Sequence, residues 1–74
     1  MEQLNLDFIY QRRLELKISL QNMAESLGFK NASTYMKYER GEYAFKAYHL
    51  PKLANLLQCE ISNFFEKVVA EIAK

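Results

Sequence analysis

The chain has 74 residues, half of them hydrophobic, and a formal net charge of +1 at pH 7. This length fits one small domain with a marginal core, which oligomerisation commonly supplements. The near-neutral balance excludes a polycation that binds nucleic acid by charge alone, although a local basic face stays compatible with it. A single cysteine, Cys59, excludes an internal disulfide and a multi-cysteine zinc site. No apolar run reaches the roughly 18 residues of a membrane span and no signal-peptide pattern is present, so we expect a soluble, cytoplasmic protein.

Apolar residues recur at helical spacing along the chain, without the alternation typical of strands. Asn5 suits the N-cap of a first helix that ends near Lys17. Ser19 caps a short second helix over residues 20–27, and Gly28 supplies its left-handed stop. The core-facing stripe of the first helix comprises Leu6, Ile9, Tyr10, Arg13 and Leu16.

Three further helices follow the same pattern. The third runs from Ala32, after an asparagine N-cap, and is ended by Gly41. The fourth begins near residues 47–48 and has Pro51 in its first turn, where the missing amide donor costs little. The fifth extends from about Glu60 to the C-terminus. Its apolar side comprises Ile61, Phe64, Phe65, Val68, Val69 and Ile72. We therefore predict an all-α domain of five helices.

Two opposite charges interrupt the apolar faces of these helices. Arg13 lies in the stripe of the first helix, and Glu39 shares the inward face of the third with Tyr35 and Tyr38. Because an unpaired buried charge costs several kcal/mol, we predict that Arg13 and Glu39 pair with each other. The alternative is that each side chain reaches water separately.

The segment ISLQNMAESLGFKNASTYMKYERG, residues 18–41, resembles the helix-turn-helix of lambdoid phage repressors and Cro proteins, the Xre-type regulators. The resemblance covers roughly residues 6–65. It includes HLPKLANLL at 49–57 and CEISNFF at 59–65, which look like the family's fourth helix and the start of its fifth. The residues that support it most are Arg13, Ser19, Ala24, Gly28, Tyr35, Tyr38, Glu39, Arg40 and Gly41.

The resemblance implies a compact five-helix lambda-repressor-like DNA-binding domain, with the helix-turn-helix formed by helices 2 and 3. Residues 1–74 would form this single domain, with a core at about 6–65 and an extension of the last helix over 66–74. Two features depart from the family pattern. Leu20 stands where relatives commonly have a glutamine, and the turn GFKN is one residue longer than the commonest form.

In this family the third helix enters the major groove with its N-terminal residues toward base edges. The expected base-contacting residues are Ala32, Ser33, Thr34 and Lys37. The alternative for Ser33 and Thr34 is that they only satisfy amides at the helix start. Helix ends and nearby cations would contact phosphates. The residues expected in this role are Ser19, Gln21, Lys30, Arg40 and Lys46.

Other chemistry has little support in the sequence. His49 has no second ligand at metal spacing, so we expect a loop or first-turn residue and no metal. Cys59 is expected to be a small buried apolar residue. No nucleophile–base arrangement, phosphate-binding glycine loop or carboxylate pair is visible, and we expect neither an enzyme nor a cofactor.

The apolar stripe of the fifth helix continues beyond the expected core. We predict a homodimer through Phe65, Val68, Val69 and Ile72, although the N-terminal Met1, Leu4 and Leu6 could instead cover this stripe within the monomer. A dimer would present two helices to half-sites about 34 Å apart.

The function implied by this pattern is a sequence-specific DNA-binding transcriptional regulator of bacterial or phage type. We expect a repressor that binds a palindromic operator in double-stranded DNA as a dimer. With no sensor or catalytic domain visible, regulation would be by operator occupancy. The alternative is a protein-interaction module of the same fold, antitoxin- or anti-repressor-like, with weak or no DNA binding.

Overall fold

The computed structural model describes residues 4–65. The α-helices are α1 (Leu6–Glu15), α2 (Leu20–Leu27), α3 (Ala32–Glu39) and α4 (Leu50–Leu56), and 3-10 helices span Ala47–His49 and Ile61–Phe65. Within this part of the chain there is no strand, and no helix is long and apolar enough to cross a membrane. The predicted all-α class is confirmed, but residues 4–65 contain four α-helices rather than the predicted five.

The predicted fifth helix is wrong at its start. Ile61–Phe65 is a 3-10 helix in which Phe64 is fully buried and Phe65 half-buried, while Ile61, expected in the core, is 40% exposed. The Phe64 carbonyl accepts from the Asn5 amide at 2.7 Å, which ties this turn to the start of α1. The expected dimer residues Val68, Val69 and Ile72 lie outside the described residues.

The starts of α1, α2 and α3 are set by side-chain caps. Asn5 accepts from the Phe8 amide at 3.0 Å, and Ser19 accepts from the Asn22 amide at 3.0 Å. Asn31 accepts from the Thr34 amide at 2.9 Å. These bonds satisfy amides that lack a partner within the helix, so the predicted N-caps are confirmed.

All four α-helices end in one motif, in which a left-handed residue turns the chain back. The next amide then donates to the carbonyl five positions earlier, at 2.8–3.1 Å. The left-handed residues are Lys17 (φ 59°), Gly28 (φ 81°), Gly41 (φ 89°) and Gln58 (φ 54°). The two predicted glycine stops are therefore confirmed. However, α1 ends at Glu15 rather than near Lys17, because Lys17 itself adopts the turn conformation.

The core lies where α1, α2, α3 and α4 meet, and Tyr10, expected in it, is exposed. Its buried apolar residues are Ile9, Met23, Ala24, Tyr35, Leu53, Ala54, Leu57 and Phe64. Ala24 has no exposed surface, and this small side chain allows α2 and α3 to cross closely. The turn over residues 28–31 joins these two helices and leaves one side of α3 facing solvent.

Candidate nucleic-acid interface

A buried ion pair fixes the inward face of α3. Arg13 and Glu39 are 7% and 8% exposed. The Arg13 Nε donates to Glu39 Oε2 at 2.9 Å, and Nη2 donates to Oε1 at 3.1 Å. Tyr35 Oη donates to Glu39 Oε2 at 2.7 Å, and Arg13 Nη1 donates to the Ile18 carbonyl at 3.0 Å. The predicted pairing is confirmed, and the alternative of separate exposure is wrong.

The protonation of this network follows from its contacts. The hydrogen bond to Glu39 raises the pKa of the Arg13 guanidinium, which outweighs the opposite effect of burial. Burial, and then the hydrogen bond to Glu39, raise the pKa of the Tyr35 hydroxyl. Both groups therefore keep their protons across the physiological range. The network ties α3 to α1 with its tyrosine face inward.

The opposite face of α3 is exposed. Ser33, Lys37 and Arg40 lie three, four and seven positions apart, which places them on one side of the helix axis. Ala32 and Thr34, at the helix start, are half-buried beside that face. The expected base-contacting residues thus lie on the solvent side of α3 and along its margins. Ala32, Ser33 and Thr34 are in its first turn, nearest the turn over residues 28–31, and Lys37 is in its last turn.

The start of α3 separates the roles of its two hydroxyl residues. The Thr34 amide and the Thr34 hydroxyl both donate to Asn31 Oδ1, at 2.9 Å and 3.0 Å. The Thr34 hydroxyl therefore donates to the cap residue, whereas the alternative expected it to satisfy amides itself. Ser33 is exposed, and the amide acceptor at this helix start is Asn31 rather than a side chain of α3.

Two of the expected phosphate contacts lie at the start of α2. Ser19 is exposed, and its hydroxyl oxygen serves as the N-cap. Gln21 is exposed as well, but its Nε2 donates to Glu25 Oε2 at 2.9 Å. An acidic neighbour repels phosphate, so Gln21 is less favourably placed than Ser19 for an anion.

The expected cationic contacts flank α3. Lys30, Arg40 and Lys46 are exposed, as is Lys37 on the helix. Of the two acidic residues in the same stretch, Glu39 is paired with a buried arginine, and Glu42 lies 3.9 Å from Arg40. That second pair is exposed and loose, so the surface around α3 stays more basic than the chain as a whole.

An aromatic cluster supports the loop that follows α3. Phe29, in the turn before α3, stacks on Tyr38 with ring centroids 4.5 Å apart and planes at 10°. Tyr38 in turn meets the edges of Tyr43 and His49, at 5.4 Å and 5.6 Å. Sequence reasoning did not identify this cluster, and the only available signal was the density of aromatic residues between 29 and 49.

His49 lies in the 3-10 turn, consistent with its expected loop or first-turn position, but it is buried. Its Nδ1 accepts from the Lys46 amide at 2.9 Å, so the imidazole shapes the turn that presents Lys46. Burial, and then the charge of Lys46, lower the pKa of His49. Among the described residues, no group of three or more His, Cys, Asp or Glu could hold a metal ion.

Arg12 is a second structural residue that the sequence did not reveal. Its Nε donates to the Leu57 carbonyl at 2.8 Å, and its Nη2 donates to the Gln58 carbonyl at 3.2 Å. A cation at the C-terminal end of α4 satisfies carbonyls that lack a helical partner. Nearby, Cys59 is half-buried, and burial raises the pKa of its thiol, which suits the expected apolar role.

A family model described as helix-turn-helix matches residues 9–64. No curated protein and no solved structure matches the chain significantly. The matched segment includes both helices of the motif, the Arg13–Glu39 pair and the loop that leads into α4. It covers most of the chain, and the chain therefore belongs to the helix-turn-helix family of Xre- and Cro-like DNA-binding regulators.

Proposed function

We propose that this protein is a sequence-specific transcriptional regulator that represses by occupying a palindromic operator as a homodimer. One observation supports the proposal most strongly. The Arg13–Glu39 pair holds the tyrosine face of α3 against the core, which leaves Ser33, Lys37 and Arg40 exposed on the other side. An exposed polar helix face of this kind fits the major groove of B-DNA. The proposal assigns no catalytic role, in keeping with a family of DNA-binding regulators.

The proposed base contacts come from the first turn of α3 and from Lys37 in its last turn. Lys37 suits the O6 and N7 acceptors of guanine, and Ser33 can donate to or accept from a base edge. Ala32 and the Thr34 methyl group suit the methyl group of thymine. The Thr34 hydroxyl donates its hydrogen bond to Asn31 Oδ1, so its methyl group and its acceptor lone pairs are the parts available to DNA.

The proposed phosphate contacts surround this face. Ser19 and the amides at the start of α2 suit an anion, because the helix dipole places partial positive charge there. Lys30, Arg40 and Lys46 add mobile positive charge on either side of α3. Gln21 joins them only if its amide leaves Glu25. Contacts of this kind set the register of the protein on the duplex.

The proposed dimer rests on the sequence pattern of the C-terminal segment. Phe65 is half-buried against the core of its own chain, and Val68, Val69 and Ile72 continue its apolar stripe in the sequence. A two-fold dimer would present two α3 helices about one turn of DNA apart. Sedimentation of Val69→Glu tests this part, because a charge in the interface should give a monomer while the wild type stays dimeric.

The alternative function, a protein-interaction module with little DNA binding, is favoured by two observations on α2. Leu20 replaces the family's phosphate-contacting glutamine, and the nearby Gln21 amide is bonded to Glu25. The two functions differ in their response to salt. Binding through several phosphates weakens steeply as salt rises, whereas an apolar protein interface does not respond in this way.

Selection of binding sites from a random duplex library tests the proposal. The wild type should enrich an inverted repeat, and fluorescence anisotropy on the enriched duplex at two salt concentrations should show a steep loss of affinity at the higher one. Ser33→Ala and Lys37→Ala should relax the selected sequence. Lys52→Ala, which removes an exposed lysine on α4, is the matched control. No enrichment at low salt by a folded protein would refute the proposal.

A further inference from the structure

Tyr43, in the loop after α3, contacts Lys37 in two ways. The Lys37 Nζ lies 5.6 Å from the centroid of the Tyr43 ring. The main chain of the loop is attached to the same residue, because the Lys37 carbonyl accepts from the Tyr43 amide at 3.3 Å and from the Glu42 amide at 2.9 Å. The ring and the ammonium are therefore held near each other by the turn that ends α3.

The Tyr43 ring itself has a fixed support. It packs edge-on against Tyr38 at 5.4 Å, and Tyr38 stacks on Phe29 at 4.5 Å. Gly41, with φ 89°, turns the chain so that the loop returns along α3. A row of packed aromatic rings thus runs from the turn before α3 to Tyr43. Tyr43 is 48% exposed and lies at the surface beside Lys37.

This arrangement matters because a lysine side chain is flexible. Its ammonium sits on four rotatable bonds, and fixing it on a base edge reduces the freedom of every one of them. An aromatic ring that attracts the ammonium restricts the side chain before DNA arrives, so less ordering remains on binding. The acidic residue of this loop is Glu42, and its Oε2 lies 3.9 Å from Arg40 Nη1 in an exposed and loose pair.

We infer that Tyr43 is a positioning residue for Lys37, and that it increases discrimination at the guanine that Lys37 contacts. The inference rests on the proposed DNA-binding function and deepens it. Tyr43 acts through the lysine, so its effect must vanish when the lysine is absent. It must also depend on the aromatic ring and not on the hydroxyl group.

The test compares Tyr43→Leu with Tyr43→Phe in the full chain. The base read by Lys37 is first identified as the guanine at which Lys37→Ala loses its preference. Kd is then measured for the selected duplex and for a second duplex in which this guanine is replaced. Tyr43→Leu should raise Kd for the selected duplex about two- to fivefold, which is the effect of losing one exposed cation–π contact. It should also reduce the ratio between the Kd values of the two duplexes. Tyr43→Phe should match the wild type. In the Lys37→Ala background, Tyr43→Leu should change neither Kd.

A second readout uses the free protein. The Lys37 ε-methylene protons should show an upfield ring-current shift in the NMR spectrum of the wild type and of Tyr43→Phe, and a normal shift in Tyr43→Leu. Thermal unfolding of each variant checks that the fold is intact.

The outcomes separate the two claims. If the ratio of the two Kd values is the same for Tyr43→Leu as for the wild type, the inference is overturned and the DNA-binding function stays in place. An equal loss in the Lys37→Ala background would overturn it too, because Tyr43 would then act independently of the lysine. Failure of the wild type to select any site would overturn both the function and the inference.

Discussion

Removal of Arg13 should destabilise the fold more than the loss of any surface charge. In the folded protein, Glu39 accepts two hydrogen bonds from Arg13 and one from Tyr35. The substitution Arg13→Met leaves a carboxylate that is 8% exposed with the tyrosine as its remaining donor. Breaking a buried pair in this way costs about 3–5 kcal/mol. A domain of 74 residues has a free energy of unfolding of about 4–11 kcal/mol. If the wild type lies near the lower limit, Arg13→Met would lose most of this free energy.

The matched double variant separates the unpaired charge from lost packing. Arg13→Met with Glu39→Gln removes both charges and keeps an oxygen that accepts from Tyr35. One amide group then lacks a partner, and the Ile18 carbonyl loses its Arg13 donor in both variants. The double variant should therefore cost about 1–3 kcal/mol and be more stable than the single one. Glu15→Gln is the control, because it breaks an exposed pair with Arg12 and should cost less than about 1 kcal/mol.

Urea unfolding followed by circular dichroism measures these differences. The free energy of unfolding of a small domain falls by about 1 kcal/mol per molar urea. The urea concentration at the unfolding midpoint should therefore be about 3 M or more lower for Arg13→Met, or this variant should be unfolded without urea. A loss below about 1 kcal/mol in the free energy of unfolding would contradict a costly unpaired charge at Glu39. So would a double variant no more stable than Arg13→Met, since the buried charge would then not be the cause.

Three further predictions concern a buried histidine and the helix ends. Because burial lowers the pKa of His49, the unfolded chain binds its proton more readily, so stability should be complete above about pH 6.5 and fall as the pH drops through the folded-state pKa. Urea unfolding across this range should show a smaller fall for His49→Gln, and an equal fall would contradict the assignment. Gly28→Ala and Gly41→Ala should each cost about 1 kcal/mol, with the larger loss at Gly41, where a new Cβ would lie 3.1 Å from a leucine methyl group of α1. Equal losses would exclude that crowding. Lys17→Gly and Gln58→Gly relieve left-handed strain at non-glycine residues, so each should raise Tm by a few degrees, and an unchanged Tm would contradict this.

Those helix ends also illustrate what the sequence could reveal. Gly28 and Gly41 were predicted as stops because glycine favours positive φ. Lys17 and Gln58 adopt the same conformation without a glycine, so no residue type marked the exact ends of α1 and α4. Their position depends on tertiary contacts, such as the bond from Arg12 to the carbonyl of Gln58, which local patterns do not encode.

The candidate site shows the same division. The pairing of Arg13 and Glu39 was predictable because each charge interrupts an otherwise apolar helix face, and burial of both requires a partner. The bond from the Lys46 amide to His49 was not predictable, since one partner is a main-chain atom of a loop. The contact of Lys37 with the Tyr43 ring depends on the path of the loop after α3 and on side-chain rotamers, neither of which follows from spacing.

Contact between the exposed face of α3 and bases in the major groove is the basis of the proposed function. The most direct measurement uses the selected duplex with each guanine replaced in turn by 7-deazaguanine, which lacks the major-groove N7 acceptor. Kd is measured for the wild type and for Lys37→Ala on every duplex. If Lys37 contacts a guanine, one position in each half-site should show a several-fold weaker Kd for the wild type on replacement, and an unchanged Kd for Lys37→Ala. If each replacement instead raises Kd by the same factor for Lys37→Ala as for the wild type, Lys37 contacts no guanine N7. The proposed placement of α3 would then be contradicted.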